Sequence, residues 1–408
     1  MYLNIDAIKD ITYDAIVIGS GVSGGWAAKE LTEKGLKVLM LERGKPLEHV
    51  TGYENALKAP WEKKYNGRLT VKQKETHPFL SRDYPYNEMT EKYWMNDMDS
   101  QYEEKKRFDW FRPDIVGGKS IMWGRQSYRW SDLDFEANLK DGVAVDWPIR
   151  YKDIAPWYSY VEKHVGISGE KLGLPQLPDS EFLPPMDMYY VEKEVRKRLE
   201  KEFPGRTMTI GRVANLSKAS KIQLDQGRAS CQYRNLCSLG CPYGAYFSPR
   251  SGPLPAAVKT GRLTLRPHSL VSSIIYDNGT QKAKGVKVVD TQTLEEREFF
   301  SKIIFVCGGA IGSTVTLLNS TSDRFPNGLG NDSGELGHNL MDHHFRTGAS
   351  GTWEGGLDTY YFGRRANGIY IPRYQNIGND KRGYLRGFGY QGGGSRQGWQ
   401  RNIAEHSF

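Results

Sequence analysis

Apolar and polar positions change period several times along this 408-residue chain, and the first change says the most. An apolar run, Ala15 to Ile18, reads as a buried parallel strand. An Ala-rich helical stretch follows to about Lys34, and Lys37 to Leu41 returns as a second strand that stops on Glu42. Between strand and helix lies Gly19-Ser20-Gly21-Val22-Ser23-Gly24, a G-x-G-x-x-G run. Gly19 permits a tight turn, Gly21 lets backbone approach a pyrophosphate, and Gly24 lets the helix pack close to the strand. The helix N-terminus offers free N–H groups and the positive end of its dipole to phosphates. Glu42, 18 residues past Gly24, is placed to accept hydrogen bonds from an adenosine ribose. Glycines alone would suit a plain structural turn. Strand, helix, strand and terminal acid together predict dinucleotide binding.

Past Gly44 the pattern dissolves, and Lys45 to Glu104 is polar, aromatic and turn-rich, an excursion from the first domain. Ile115 to Gly124 follows, with Gly117-Gly118-Lys119-Ser120 and then Met122-Trp123. Paired glycines there suit a backbone passing a flat ligand, or a loop at a domain junction. Tyr151 opens a helix that ends near Gly166. Val191, Val195, Leu199 and Phe203 recur every four positions, predicting an amphipathic helix with an apolar stripe in the core and a solvated charged face. Arg262 to Tyr276 and Gly285 to Val289 read as strands around an Asn278-Gly279 turn. Lys302 to Cys307 reads as a buried strand, with Cys307 a small buried residue in it. The strand runs into Gly308-Gly309-Ala310 and a helix over 311–318, a second strand–Gly–helix junction.

Composition narrows the classes. The mean hydropathy is −0.61, and no apolar run approaches the roughly 20 residues that span a bilayer, so no direct membrane span is expected. The N-terminal stretch shows no charged-then-apolar signal pattern. A net charge of +8 comes from Lys and Arg dispersed among 48 acids without a basic block. That balance suits solubility or docking of an acidic partner, and not nucleic acid. The 24 Tyr and 10 Trp are compatible with sugar-stacking surfaces and equally with packing in a large core.

Taken together and in order, the Gly19–Gly24 fingerprint with Glu42, Gly117-Gly118-Lys119-Ser120, Cys307-Gly308-Gly309-Ala310 and Gly337-His338-Asn339-Leu340-Met341-Asp342-His343 resemble the glucose–methanol–choline (GMC) flavin oxidoreductases. The nearest likeness is to bacterial sugar dehydrogenases of the glucoside 3-dehydrogenase, FAD-glucose dehydrogenase and gluconate dehydrogenase type. The resemblance implies an α/β fold: a Rossmann-like FAD-binding domain plus a second α+β substrate domain built on an antiparallel sheet. It implies FAD rather than NAD, although the fingerprint by itself serves NAD equally well. By the same resemblance Gly19, Gly21, Ser23 and Gly24 line the pyrophosphate, and Glu42 with Arg43 lies at the adenosine ribose. Gly117, Gly118, Ser120, Met122, Trp123 and Gly124 pass along the flavin, Val271 reads the adenine through its backbone, and Gly308 completes the cofactor set. Met122 stands where covalently flavinylated relatives carry His, which implies non-covalent FAD.

Three of the four cysteines, Cys231, Cys237 and Cys241, form C-x5-C-x3-C-P within eleven residues. Thiolates so close on a Gly- and Pro-containing loop can hold one iron–sulfur cluster. Three ligands leave a cubane corner without protein sulfur, which favours [3Fe–4S] or a labile [4Fe–4S]. Reduced thiols, a disulfide with one thiol left over, or a zinc site completed by a histidine stay open. The spacing resembles the cluster loop of the sugar dehydrogenases, implying electrons that leave the flavin toward a cytochrome c. The resemblance further implies a sugar or glycoside substrate oxidised at a ring hydroxyl, the 3-position first. It also implies a small twin-arginine-signal partner that carries the chain to the periplasm; a cytoplasmic location is the alternative. Family enzymes use a His pair or His–Asn pair as base, and that C-terminal segment is not found here, so no catalytic residue is assigned. His343 and His344 belong to the cofactor block, and His406 lacks the family context. The domains expected are an FAD domain over 1–50, 105–145 and 205–344 with a cluster loop at 230–242, an excursion or lid over 51–104, and an incomplete substrate domain over 146–204 and 345–408. A cofactor-binding fragment, inactive without a chain bearing the missing pair, is the competing expectation.

Overall fold

The computed structural model describes residues 13–342, 347–356, 359 and 367–394. They fall into two compact units. The first draws on Met1–Trp123 and Leu236–Thr347, the second on Gly124–Asn235 and Gly348–Phe408.

In the first unit, β1 (Tyr13–Ile18), α1 (Val22–Glu33) and β2 (Val38–Leu41) form the expected strand–helix–strand unit. The sheet continues through β3 (Leu263–Arg266), β4 (Ser269–Asp277), β5 (Lys282–Asp290) and β6 (Glu296–Val306), in the order β3-β2-β1-β6-β5-β4. Strands β3, β2, β1 and β6 run parallel, with Ala15 opposite both Val38 and Ile303; β5 and β4 turn back antiparallel. The continuous apolar run of β1 follows from this position. Ile16 and Ile18 face one core with Leu39, Val286 and Phe299, while Ala15 and Val17 face another with Ala28, Met40 and Leu254. A strand covered on both faces cannot alternate apolar and polar. The second unit carries two longer helices, Tyr151–Val165 and Tyr190–Glu202. Its small antiparallel sheet has the order Thr209–Ile210, Ile369–Ile371, Tyr390–Gly392. The fold is therefore α/β, a Rossmann-like sheet in the first unit and a small antiparallel sheet in the second, as the resemblance implied.

Four local readings change. The strand over 262–276 is two strands. Pro267 has no N–H to give a ladder and His268 sits at φ 55°, so the chain breaks there and leaves the parallel ladder for the hairpin. The strand over 302–307 begins earlier, at Glu296, and is not buried on both faces: Ile303 is 46% and Phe305 37% exposed. Cys307 lies just past its end, half-buried, and its N–H donates to the Ile18 carbonyl at 2.8 Å. The stripe on 190–202 holds only in part: Leu199 packs against the core of the second unit, while Phe203 is exposed. Val195 is exposed, and the buried residue is Glu192, whose carboxylate caps the helix by accepting from Tyr189 N–H and also accepts from Gly394 N–H, both at 2.8 Å. A carboxylate with two backbone donors can be buried at a helix start, where the dipole also favours it. Lastly, the aperiodic excursion after Gly44 has its own core, with Leu47, Tyr53, Ala56, Tyr86, Tyr93 and Trp94 buried. Aromatic packing of this kind leaves no period for a sequence reading to find.

Candidate functional site

The Gly19–Gly24 turn is held by contacts that only glycine allows. Gly19 sits at φ 92°, and a Cβ there would come within 2.6 Å of the Cys307 carbonyl oxygen. A Cβ on Gly24 would lie 1.9 Å from the Gly19 carbonyl oxygen, so α1 can begin against the turn only without a side chain. Gly21 is the N-cap of α1. It makes no side-chain cap, and the first turn holds no acid. The first-turn N–H groups and the helix dipole thus favour an anion, and a Cβ at Gly21 would meet nothing within 4 Å. Ser23 is exposed on that first turn.

Glu42 ties this turn to its surroundings. Its Oε2 accepts from Ser20 N–H at 2.9 Å and from Ser20 Oγ–H at 2.6 Å, and its Oε1 accepts from Gly44 N–H at 2.8 Å. Three of about four carboxylate lone-pair sites are therefore used, with room for one further donor such as a ribose hydroxyl. Ser20, fully buried, extends the chain of bonds: its Oγ accepts from Gly117 N–H at 2.8 Å. Gly117 and Gly118 turn at φ 98° and 55°, and a Cβ on Gly118 would lie 3.8 Å from Gly21 Cα. The two glycine loops face each other, joined by one buried hydroxyl. Ser120 Oγ–H donates to the Gly117 carbonyl, Met122 is buried behind it, and Trp123 Nε1–H donates to Phe247 O at 3.0 Å. Gly124 opens the second unit.

Behind Gly117 lies Arg250, buried; a Cβ on Gly117 would touch its Cγ at 3.0 Å. Burial pulls its guanidinium below the usual value while Tyr53 and Glu48 pull it back, and an arginine in that balance stays cationic. Tyr53 is pushed up to about 12 by burial, against the pull of Arg250. At the other end of Glu42, Arg43 reaches Asp114 at 3.6 Å. A cavity of about 640 Å³ opens there, lined by Arg43, Lys45, His77, Trp94, Asp114 and Leu270. Val271 is buried in β4 beside Leu270, where a bulge between Val271 and Ser273 interrupts the ladder. Gly308 backs Gly19, its Cα 3.2 Å from where a Gly19 Cβ would stand. An uncapped helix start, two opposed glycine loops and a spare acceptor on Glu42 fit an extended dinucleotide such as FAD.

The cysteines behave differently. Cys237 and Cys241 flank a short turn, Cys237–Leu239, pinned in the first unit: Leu239 is buried, its carbonyl accepts from Tyr93 Oη at 3.0 Å, and Gly240 packs on the Tyr53 ring. Cys231 belongs to the second unit and packs against its Met186–Ile210 core. Among the described residues no group of three or more His, Cys, Asp or Glu is placed to hold a metal ion. Of the expected ligand set, Cys231 thus lies in the second unit and Cys237 and Cys241 in the first. His343, His344 and His406 lie outside the described residues. No helix among the described residues is long and apolar enough to cross a membrane.

The defining sequence pattern of GMC oxidoreductases matches residues 13–345. The chain belongs to the GMC oxidoreductase family. Relatives in it include a 2-methyl-1,2-propanediol dehydrogenase of Mycolicibacterium austroafricanum, 28% identical over 93% of this chain and 63% of the relative. A 6'''-hydroxyparomomycin C oxidase of Streptomyces lividus is 26% identical over 81% of this chain and 54% of the relative. The fructose dehydrogenase large subunit of Gluconobacter japonicus is 25% identical over 82% of this chain and 59% of the relative. The chain thus spans somewhat more than half the length of these GMC relatives. Two residues of the site escaped the sequence reading. Ser20 occupies a variable position of the fingerprint, where only its distance to Glu42 gives it a role. Arg250 lies more than 100 residues from Gly117 with no motif around it.

Proposed function

We propose that the chain forms the FAD-binding part of a dehydrogenase that oxidises a hydroxyl of an alcohol or sugar. The observation that carries this reading is the pair of opposed glycine loops joined through Ser20 to Glu42. Bound FAD supplies the hydride acceptor. The start of α1 holds the pyrophosphate with backbone N–H groups, Glu42 takes a ribose hydroxyl, and Arg43 stands at the adenosine end. Ser20 keeps the turn and the Gly117–Gly118 loop in register, and Arg250 places a fixed cation behind that loop, where it favours negative charge. A sugar or glycoside, oxidised first at the 3-position of the ring, is the proposed substrate, since the family relatives act on hydroxyl compounds by name. The periplasm, a small twin-arginine-signal partner and a cytochrome c acceptor complete the proposal on the family resemblance. No step is assigned to an iron–sulfur cluster, since no group of three or more metal-ligating side chains is found among the described residues.

The test has two parts. Purified chain should carry a flavin spectrum, or regain one from added FAD. It should then reduce an artificial electron acceptor with methyl glucosides or free sugars. Colourless protein that takes up no FAD overturns the cofactor reading. Flavin binding without turnover by residues 1–408 favours the second reading, a cofactor-binding part that works with a further segment bearing the catalytic His pair.

A further inference from the structure

Residues 57–76 of the first unit hold six cations, Lys58, Lys63, Lys64, Arg68, Lys72 and Lys74, against Glu62 and Glu75, so half of the chain's +8 charge sits in twenty residues. The nearby excursion pairs its charges: Lys92 with Glu54, and Arg82 and Arg107 with Asp109. Among the described residues none of the six enters an ion pair; Lys58 donates only to Asn55 Oδ1 at 2.9 Å. Glu62, itself exposed, accepts from Ala59 N–H at 2.6 Å. Between the cations four apolar side chains protrude: Leu57 at 57%, Trp61 at 85%, Tyr65 at 60% and Val71 at 73% exposure. The segment is not loose. It runs through two short turns, Pro60–Glu62 and Lys64–Gly67, and a helix, Val71–Thr76, whose capping box is made by Thr70 and Gln73. Ala56 and Leu69 anchor it to the aromatic core.

We propose that this segment docks on an anionic lipid bilayer surface. Single Trp, Tyr and aliphatic side chains exposed within two residues of a lysine match what the headgroup region accepts. Five of the six cations are Lys, which protein interfaces deplete in favour of Arg, whereas a negative leaflet attracts Lys and Arg alike. Charge complementarity selects the anionic surface and the protruding apolar tips select a soft, insertable one. The proposal is independent of the cofactor reading.

Co-sedimentation of the whole chain with vesicles tests it. Binding is expected to phosphatidylcholine vesicles containing about 30% phosphatidylglycerol and not to phosphatidylcholine alone, and it should fade as salt rises from about 0.1 M to about 1 M. Lys64→Gln and Lys72→Gln should each weaken binding about 5-fold. Trp61→Ala should weaken it by a similar factor while leaving the salt dependence unchanged, and Trp61→Phe should recover most of the loss. All three residues are exposed, so the variants keep the fold. Equal binding to both vesicle types, no binding to either, or variants that bind like the parent chain overturn the proposal. Retention on an immobilised acidic protein without vesicle binding also overturns it, in favour of a protein partner.

Discussion

The glycine turn and the cysteine segment were the two places where the sequence pointed to chemistry, and they fare differently in the folded chain. In the turn, each expected element is present and locked by contacts within about 30 residues, apart from Gly117 and Cys307. Gly24 fits under the Gly19 carbonyl, and Glu42 binds Ser20 by two hydrogen bonds. The three thiols are close in sequence, but their backbone belongs to two units. Two flank a turn of the first unit whose Leu239 is buried among tyrosines, and one packs on the methionine-rich core of the second. Proximity along the chain converts to proximity in space only when the intervening residues form one element. The strand–turn–helix is one element; the loop that ends one unit and begins another is not.

Four measurements break or sharpen that contrast. Gly24→Val has the largest expected effect: a Cβ within 1.9 Å of backbone oxygen cannot be relieved by a side-chain shift, so bound flavin is lost and stability falls by more than about 4 kcal/mol in urea unfolding. A variant that keeps both would show that the turn is looser than its contacts. Ser20→Ala comes next. It removes the acceptor for the buried Gly117 N–H, a penalty of about 1–3 kcal/mol, so FAD affinity should drop by about 10- to 100-fold in a fluorescence titration. Unchanged affinity would sever the two glycine loops functionally.

The third concerns acid. Burial alone would raise Asp290, but the Gln292 and Thr293 N–H groups and Arg266 outweigh it and hold its carboxyl below the usual value. A depressed carboxyl contributes stability that is present above its unfolded pKa, about 3.9, and is lost as pH falls through the folded value. This pair braces the elbow whose Arg266 carbonyl accepts from Glu42 N–H at 3.0 Å. Urea midpoints of the parent chain should therefore fall more steeply below about pH 4 than those of Asp290→Asn. Equal slopes would remove the brace from the account. The smallest effect is expected from replacing Cys231, Cys237 and Cys241 together by Ser: flavin content unchanged and stability altered by less than about 1 kcal/mol. Iron in the parent chain that disappears in this variant would reverse the contrast, showing that metal gathers the thiols.

Legibility followed the range of the interactions. The strand–helix–strand unit, the helix ending at Gly166 and the hairpin through Asn278-Gly279 were readable because their signals are local. The break at Pro267 was readable in principle, since proline has no N–H, but the apolar run continues across it. Glu192 could not be read as buried, because what buries it is chain from residue 394, about 200 positions away. The exposure of Ile303 and Phe305 was hidden for the same reason: an apolar strand does not say whether anything covers it.

By itself, then, the sequence determined the nucleotide-type junction and the family likeness, because backbone sterics at glycine and the period of a buried strand act over a few residues. The tertiary structure alone decided that Ser20 bridges two loops, that Arg250 stands behind one of them, that the thiols divide between two units, and that four apolar side chains protrude among the cations of residues 57–76. Those outcomes depend on which distant segments meet, and composition and spacing carry no record of that.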